Sequence, residues 1–118
     1  MLNKYSLIIL FFAFLSTSNL KAQTQMEMNQ TAHNDFKKAD TELNKVYKQV
    51  MKILNEKEKK LMIKAQKDWL TFRDSHCEFE IEQYVGGSIQ PLIHSNCLTE
   101  LTNDRIEHLK AILKDEAR

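Results

Sequence analysis

The stretch CEFEIEQYVGGSIQPLIHSNC, residues 77–97, holds both cysteines, both glycines and the only proline of the chain. Glycine and proline are the strongest local breakers of regular structure, and everything outside this stretch lacks them. Two glycines and one proline in 118 residues leave too few turns for an all-β fold. The stretch therefore reads as one irregular connection between two helices, with a cysteine at each end.

Apolar periodicity on both sides fits that reading. From Met28 onward, Ala32, Phe36, Ala39, Leu43, Val46 or Tyr47, Val50 and Ile53 or Leu54 recur at steps of three and four. Such spacing traces one face of a helix. Asn55 with Glu58 has the spacing of a capping box and predicts a new helix start directly after Leu54. A second stripe runs Leu61, Ala65, Trp69, Phe72, His76 and Phe79, and fades at Val85-Gly86-Gly87-Ser88. A third runs Leu98, Leu101, Arg105, Leu109 and Ile112, with Ser95 or Asn96 as its expected cap. The expectation is an all-α, small three-helix bundle with helices at about 27–54, 56–84 and 96–115. The short connection after Leu54 makes the first two a long antiparallel hairpin, and the third packs back across them.

The first 22 residues read differently. Lys4 precedes an apolar run from Leu7 to Leu15, then small polar residues and Leu20-Lys21-Ala22. This is the pattern of a secretory leader, with cleavage expected after Ala22, so the domain proper is 23–118. The run is too short for a stable membrane span, which needs about twenty apolar residues. A periplasmic or secreted protein is expected. Without Lys4 and Lys21, the 17 basic side chains fall to 15 against 16 acidic ones. That balance excludes a nucleic-acid binder relying on basic excess.

In an exported chain an even cysteine count reads as disulfide bonding, and Cys77 with Cys97 allows one intramolecular pair. Closing such a loop stabilises a domain by about 3 kcal/mol on the chain-entropy account. The rival is a metal site using His76 or His94. Adjacent helical residues such as His76 and Cys77 point about 100° apart, which suits one ion poorly. No metal, cofactor or catalytic set is expected: no nucleophile–base pair assembles, and a disulfide-bonded cysteine is no nucleophile.

Two polar features stand out. Arg105 interrupts an apolar stripe, and a buried guanidinium needs a partner, for which Asp74 or Glu78 is expected. The second stripe's helix is basic in its first half (Lys57, Lys59, Lys60, Lys64, Lys67) and acidic in its second (Asp74, Glu78, Glu80, Glu82). This order largely opposes the helix dipole. Either the charges pair with neighbouring helices, or the acids form a patch beside the glycine loop that suits a basic partner.

Taken in order, EMNQTAHNDFKKADTELNKVY, AQKDWLTFRDSHCEFE, GGSIQP and CLTELTNDRIEHL resemble the lysozyme inhibitor LprI-like family, over about Gln25 to Leu109. The resemblance implies exported helical bacterial proteins, a cysteine pair such as Cys77–Cys97, and characteristic segments at Trp69 with Arg73-Asp74 and at Leu101-Thr102 with Arg105. Many relatives carry a further cysteine pair, one member of it where Thr31 stands here. The name-giving member is lipid-anchored, whereas no cysteine adjoins the expected cut in this chain. The implied activity is inhibition of lysozyme or another cell-wall glycosidase, a protein partner rather than a small molecule. Gly86, Gly87 and Ser88 are the candidate binding loop, with Arg105, Asp74 and Glu78 as further candidate binding residues. The alternative is a cell-envelope structural or protein-interaction module without inhibitory activity.

Overall fold

In the computed structural model of the chain, the described residues run from Lys4 to Asp115, with side chains described from Leu20 onward. Met1–Asn3 of the expected leader lie outside them. Three helices make up the fold: α1 (Lys4–Ile53), α2 (Glu56–Ile81) and α3 (Gln90–Lys114), with a short 3-10 turn at Glu82–Tyr84. There is no strand among the described residues.

The three-helix bundle expected from the sequence is present, and its details follow from local chemistry. The turn at Leu54–Asn55 is fixed by a complete capping box. The Glu58 amide donates to Asn55 Oδ1 at 2.9 Å and the Asn55 amide donates to Glu58 Oε2 at 3.0 Å. Two otherwise orphaned amides at the start of α2 are thus satisfied, and the chain reverses direction.

α1 is longer than the sequence reading gave. It is continuous through the expected cleavage site at Ala22, and its 50 residues span about 75 Å at 1.5 Å per residue. α3 starts at Gln90, five or six residues before the expected cap, because Pro91 occupies its first turn. Proline suits that position: its missing N–H would find no partner there anyway, and its fixed φ is already helical. Ser95 is therefore no cap. Its side chain is buried inside the helix, and its carbonyl accepts a 2.8 Å bond from Thr99 Oγ1.

α3 is the centre of the bundle. It packs closely against both α1 and α2, while the two hairpin arms meet mainly through long side chains such as Arg73 reaching Asp40 and Phe36. The core is Leu43, Val46 and Val50 from α1 against Ile106 and Leu109 from α3, flanked by Tyr47, Met62 and Trp69. The α1 stripe thus lies where the periodicity put it from Ala32 onward, with Leu54 rather than Ile53 turned inward at its end, while Met28 at its start is exposed.

α2 differs. Its buried residues are Gln66, Arg73 and Cys77, with Met62 and Trp69 partly covered, while Leu61, Phe72 and Phe79 face solvent. The inward face is rotated roughly a quarter turn from the more apolar stripe. His76, a member of the more apolar stripe, is accordingly left outside the core. It sits half-exposed, stacked on Phe72 with ring centroids 5.5 Å apart, and its Nε2 lies 3.7 Å from Glu80 Oε1.

Candidate functional site at the loop end of the bundle

Cys77 and Cys97 are joined by a disulfide, with their Cα atoms 5.7 Å apart. Cys77 lies one turn before the end of α2 and Cys97 two turns into α3 rather than at its start. The bond locks the two helices together, so the chain between them has a fixed base. Only the residues from Glu82 to Ile89 leave the α-helices. The loop is therefore shorter than the cysteine spacing suggests.

Its path is set by backbone hydrogen bonds. The Val85 amide donates to Glu82 O (3.3 Å), the Gly87 amide to Tyr84 O (3.0 Å) and the Gln90 amide to Gly87 O (3.2 Å). Gly86 sits at φ +79°, a left-handed conformation that costs a side-chain-bearing residue free energy. Gly87 is glycine for a different reason: a Cβ there would lie 3.2 Å from Tyr84 O. A second brace comes from α1, where Asn29 Nδ2 donates to Ser88 O at 3.1 Å. The sequence gave no signal for Asn29 beyond its polarity, since its partner is 59 residues away.

The loop stands out from the bundle. Val85 is 66% exposed, and Gly86, Gly87 and Ser88 are exposed as well. The amides of Gly86, Ser88 and Ile89 and the Ser88 hydroxyl have no acceptor among the described residues. Beside the loop, Lys21, Ala22, Gln25 and Asn29 of α1 face Gly87, Ser88 and Pro91 across an open recess of about 660 Å³. Toward α2, Glu78 and Glu82 are exposed and form an acidic border. Glu78 Oε1 lies 3.7 Å from His94 Nε2 on α3, a contact that crosses the same helix pair as the disulfide. Gly86, Gly87, Ser88 and Glu78 thus fall together at one end of the molecule.

Arg105 and Asp74 do not join them. Arg105 is eight residues beyond Cys97 on α3, about 12 Å further along the helix axis. Its expected pairing with Asp74 or Glu78 is not formed. Arg105 Nε donates instead to Gln66 Oε1 at 3.0 Å, its Nη2 lies 3.8 Å from Met62 Sδ, and the guanidinium covers Trp69 at 5.9 Å from the ring centroid. Burial without a carboxylate pushes its pKa down from the ordinary arginine value. A neutral amide oxygen is enough of a partner because the side chain is not fully buried and stays partly open to solvent.

The carboxylates go to Arg73, the more deeply buried arginine, whose side chain is 8% exposed. Its Nε donates to Asp74 Oδ1 (2.9 Å), and its Nη1 to Asp40 Oδ1 and to the buried Thr102 hydroxyl (both 3.3 Å). Its guanidinium also lies over Phe36 and Trp69, at 5.3 and 5.4 Å from their centroids. Arg73 therefore ties α1, α2 and α3 at one point. Trp69 thus meets both guanidinium groups, an arrangement of favourable cation–ring contacts. Arg73 lies off the more apolar α2 stripe, on a face that periodicity marks as solvated, so the stripe carries no sign of its burial.

No group of three or more His, Cys, Asp or Glu side chains is placed to hold a metal ion among the described residues. No helix among them is long and apolar enough to cross a membrane.

Residues 16–109 match the sequence pattern of the family described as Lysozyme inhibitor LprI. The chain belongs to the LprI family. An uncharacterized protein of Rhizobium meliloti (strain 1021) is 36% identical over 107 residues, which cover 80% of this chain and 77% of that relative. No solved structure matches the chain. The family match takes in the whole loop, the disulfide and both arginines, so the LprI region includes the site at the loop end and the Arg73 junction.

Proposed function

We propose that this LprI-family chain is an exported inhibitor of a lysozyme-type glycosidase and that it binds through the Gly86–Ser88 loop. Glycosidases of this kind work with two carboxyl groups flanking the scissile bond in a cleft. A protein that blocks the cleft must project a narrow element into it and offer hydrogen-bond donors to acceptor-rich walls. The observation that carries the reading is the loop itself. It is exposed, has three amides and a hydroxyl without internal acceptors, and is held by a disulfide on one side and Asn29 on the other. Bracing lowers the ordering cost of binding, which otherwise subtracts from affinity. The acidic border at Glu78 and Glu82 favours a basic partner and would speed the encounter. The disulfide supports an oxidising compartment, consistent with removal of the leader after Ala22. Arg105 and Asp74 act in this account as packing residues behind the site.

The test is hydrolysis of peptidoglycan by representative lysozymes with the purified protein in excess. Inhibition at micromolar protein, lost when Gly86-Gly87-Ser88 is replaced by a bulkier sequence while the fold persists, supports the reading. Undiminished hydrolysis by every lysozyme class rejects it and leaves the cell-envelope interaction module as the better description.

A further inference from the structure

On α2, the residues Leu61, Ala65, Phe72 and Phe79 are exposed, with Leu61 at 61%, Phe72 at 55% and Phe79 at 76%. With Asp68 and Ser75 between them they are spaced four, three, four, three and four, the seam pattern of a two-helix coiled coil. Neither α1 nor α3 covers this seam. Lys57, Lys60 and Lys64 lie along one border in the first half of the helix, and Glu78 and Glu82 continue the same border in the second half.

The charge order has no explanation inside one chain. Lys57, Lys60 and Glu82 form no ion pair among the described residues, and Lys64 meets only Asp68 of its own helix. Glu78 reaches only His94. Of these charges only Glu78 reaches a neighbouring helix, so the sequence-based expectation that they pair across helices is met at that one position. The order also works against the helix dipole, so the helix alone does not favour it.

We propose that the chain forms a two-fold, antiparallel dimer in which the outward seam of α2 packs on the same seam of a second copy. A two-fold axis near residue 70 places Leu61 opposite the partner's Phe79 and Asp68 near the partner's Phe72. In antiparallel pairing each border of the seam meets the same border of the other helix, running the opposite way. The lysine half of each helix then lies along the acidic half of the other: Lys57 falls opposite the partner's Glu82, and Lys60 opposite the partner's Glu78. Parallel pairing would set this border against the partner's other border, so its lysines and glutamates would not meet, and only the antiparallel arrangement uses the charge order. A two-fold interface must be self-complementary, and this helix carries both halves of the required pattern. The two glycine loops come to lie at opposite ends of the pair.

Sedimentation equilibrium of the purified native protein tests this. The expected result is a reversible shift from monomer to twice the monomer mass with rising concentration, weakened several-fold when salt is raised from about 0.05 to about 0.5 M. Phe72→Glu with Phe79→Glu removes the dimer while helix content, followed by circular dichroism, stays unchanged, since both side chains are exposed in the monomer. Lys57→Glu, Lys60→Glu and Lys64→Glu together give a monomer, as do Glu78→Lys and Glu82→Lys together. An equimolar mixture of the two charge variants restores a dimer, because every border contact is again of opposite sign. A native protein that stays monomeric at about 0.5 mM overturns the proposal. So does a dimer insensitive to the phenylalanine changes, or a mixture that fails to associate. Monomeric native protein whose capture of a lysozyme is lost in the phenylalanine variant would assign the face to that partner and equally overturn the dimer.

Discussion

Replacing Arg73 should weaken the fold more than any other charge change, and the size of the effect follows from its surroundings. Arg73→Met keeps the stem and much of the packing against Phe36 and Trp69 but removes the guanidinium. Three hydrogen bonds disappear, to Asp74, Asp40 and Thr102. The two carboxylates do not become buried orphans. Their side chains are 61% and 41% exposed, so water replaces the arginine and screening discounts both pairs to roughly 1 kcal/mol or less each. Thr102 is fully buried, and its hydroxyl, left without Arg73, costs about 1 kcal/mol or more. Two cation–ring contacts contribute about 0.5–1 kcal/mol each. These contributions are not strictly additive, and together they place the loss at about 2–4 kcal/mol. Arg73→Lys should recover only part of it, because an ammonium cannot address Asp40, Asp74 and Thr102 through one planar fork. The assay is denaturant unfolding followed by circular dichroism, comparing midpoints at constant slope. In a domain of this size, a loss of 2–4 kcal/mol corresponds to a fall in Tm of about 10–25 °C. An Arg73→Met protein as stable as the native one would refute the view that Arg73 is the junction of the three helices.

Three further outcomes are expected. Cys77→Ala with Cys97→Ala should cost about 3 kcal/mol in the same unfolding assay, from the 20-residue separation of the crosslink; a loss under about 1 kcal/mol would mean that helix packing alone fixes the loop base. Gly86→Ala should cost about 1 kcal/mol from the left-handed backbone alone, because the space around it is open; unchanged stability would show that the loop relaxes freely. At a concentration where the chain is monomeric, Leu43→Ala should cost about 3 kcal/mol and Leu61→Ala about 0.5 kcal/mol or less, and near-equal losses would contradict the assignment of the inward face of α2.

The legible parts of this fold were those where one physical signal had no competitor. On α1 a single apolar stripe is flanked by charge, so periodicity named Ala32, Ala39, Leu43, Val46 and Val50 directly. The capping box at Asn55 and Glu58 is a local motif, and it placed the turn. The cysteine pair needed only counting and an oxidising compartment. On α2 two stripes compete. The buried one contains Gln66 and Arg73, so by hydropathy it looks like the wetter face, whereas the exposed one carries Leu61, Phe72 and Phe79. Burial of Gln66 and Arg73 is stabilised by partners on α1 and α3, and no local pattern announces partners 29–39 residues away. For the same reason nothing local shows that, of the two carboxylates expected for Arg105, Asp74 bonds Arg73 and Glu78 reaches His94. Ser95 and Asn96 look like caps for α3, whereas the helix starts at Gln90 with Pro91 in its first turn.

In the candidate site, the glycines mark the loop, where Gly86 takes the left-handed backbone. The restraint from Asn29 has no such mark, because it is a tertiary contact. The acidic border was visible as a charge run, but its position beside the loop depends on where α2 ends. That end lies at Ile81, with the 3-10 turn carrying the chain on to Tyr84.

The most direct measurement compares inhibition by the native protein and by the Cys77→Ala, Cys97→Ala protein, against the lysozyme class most sensitive to the native one. It is made at a temperature where circular dichroism shows both folded. A loop that must order itself on binding should inhibit about tenfold or more weakly, the equivalent of roughly 1.4 kcal/mol of lost preorganisation. Equal inhibition by the two proteins would contradict the claim that the crosslink holds the glycine loop ready for its target.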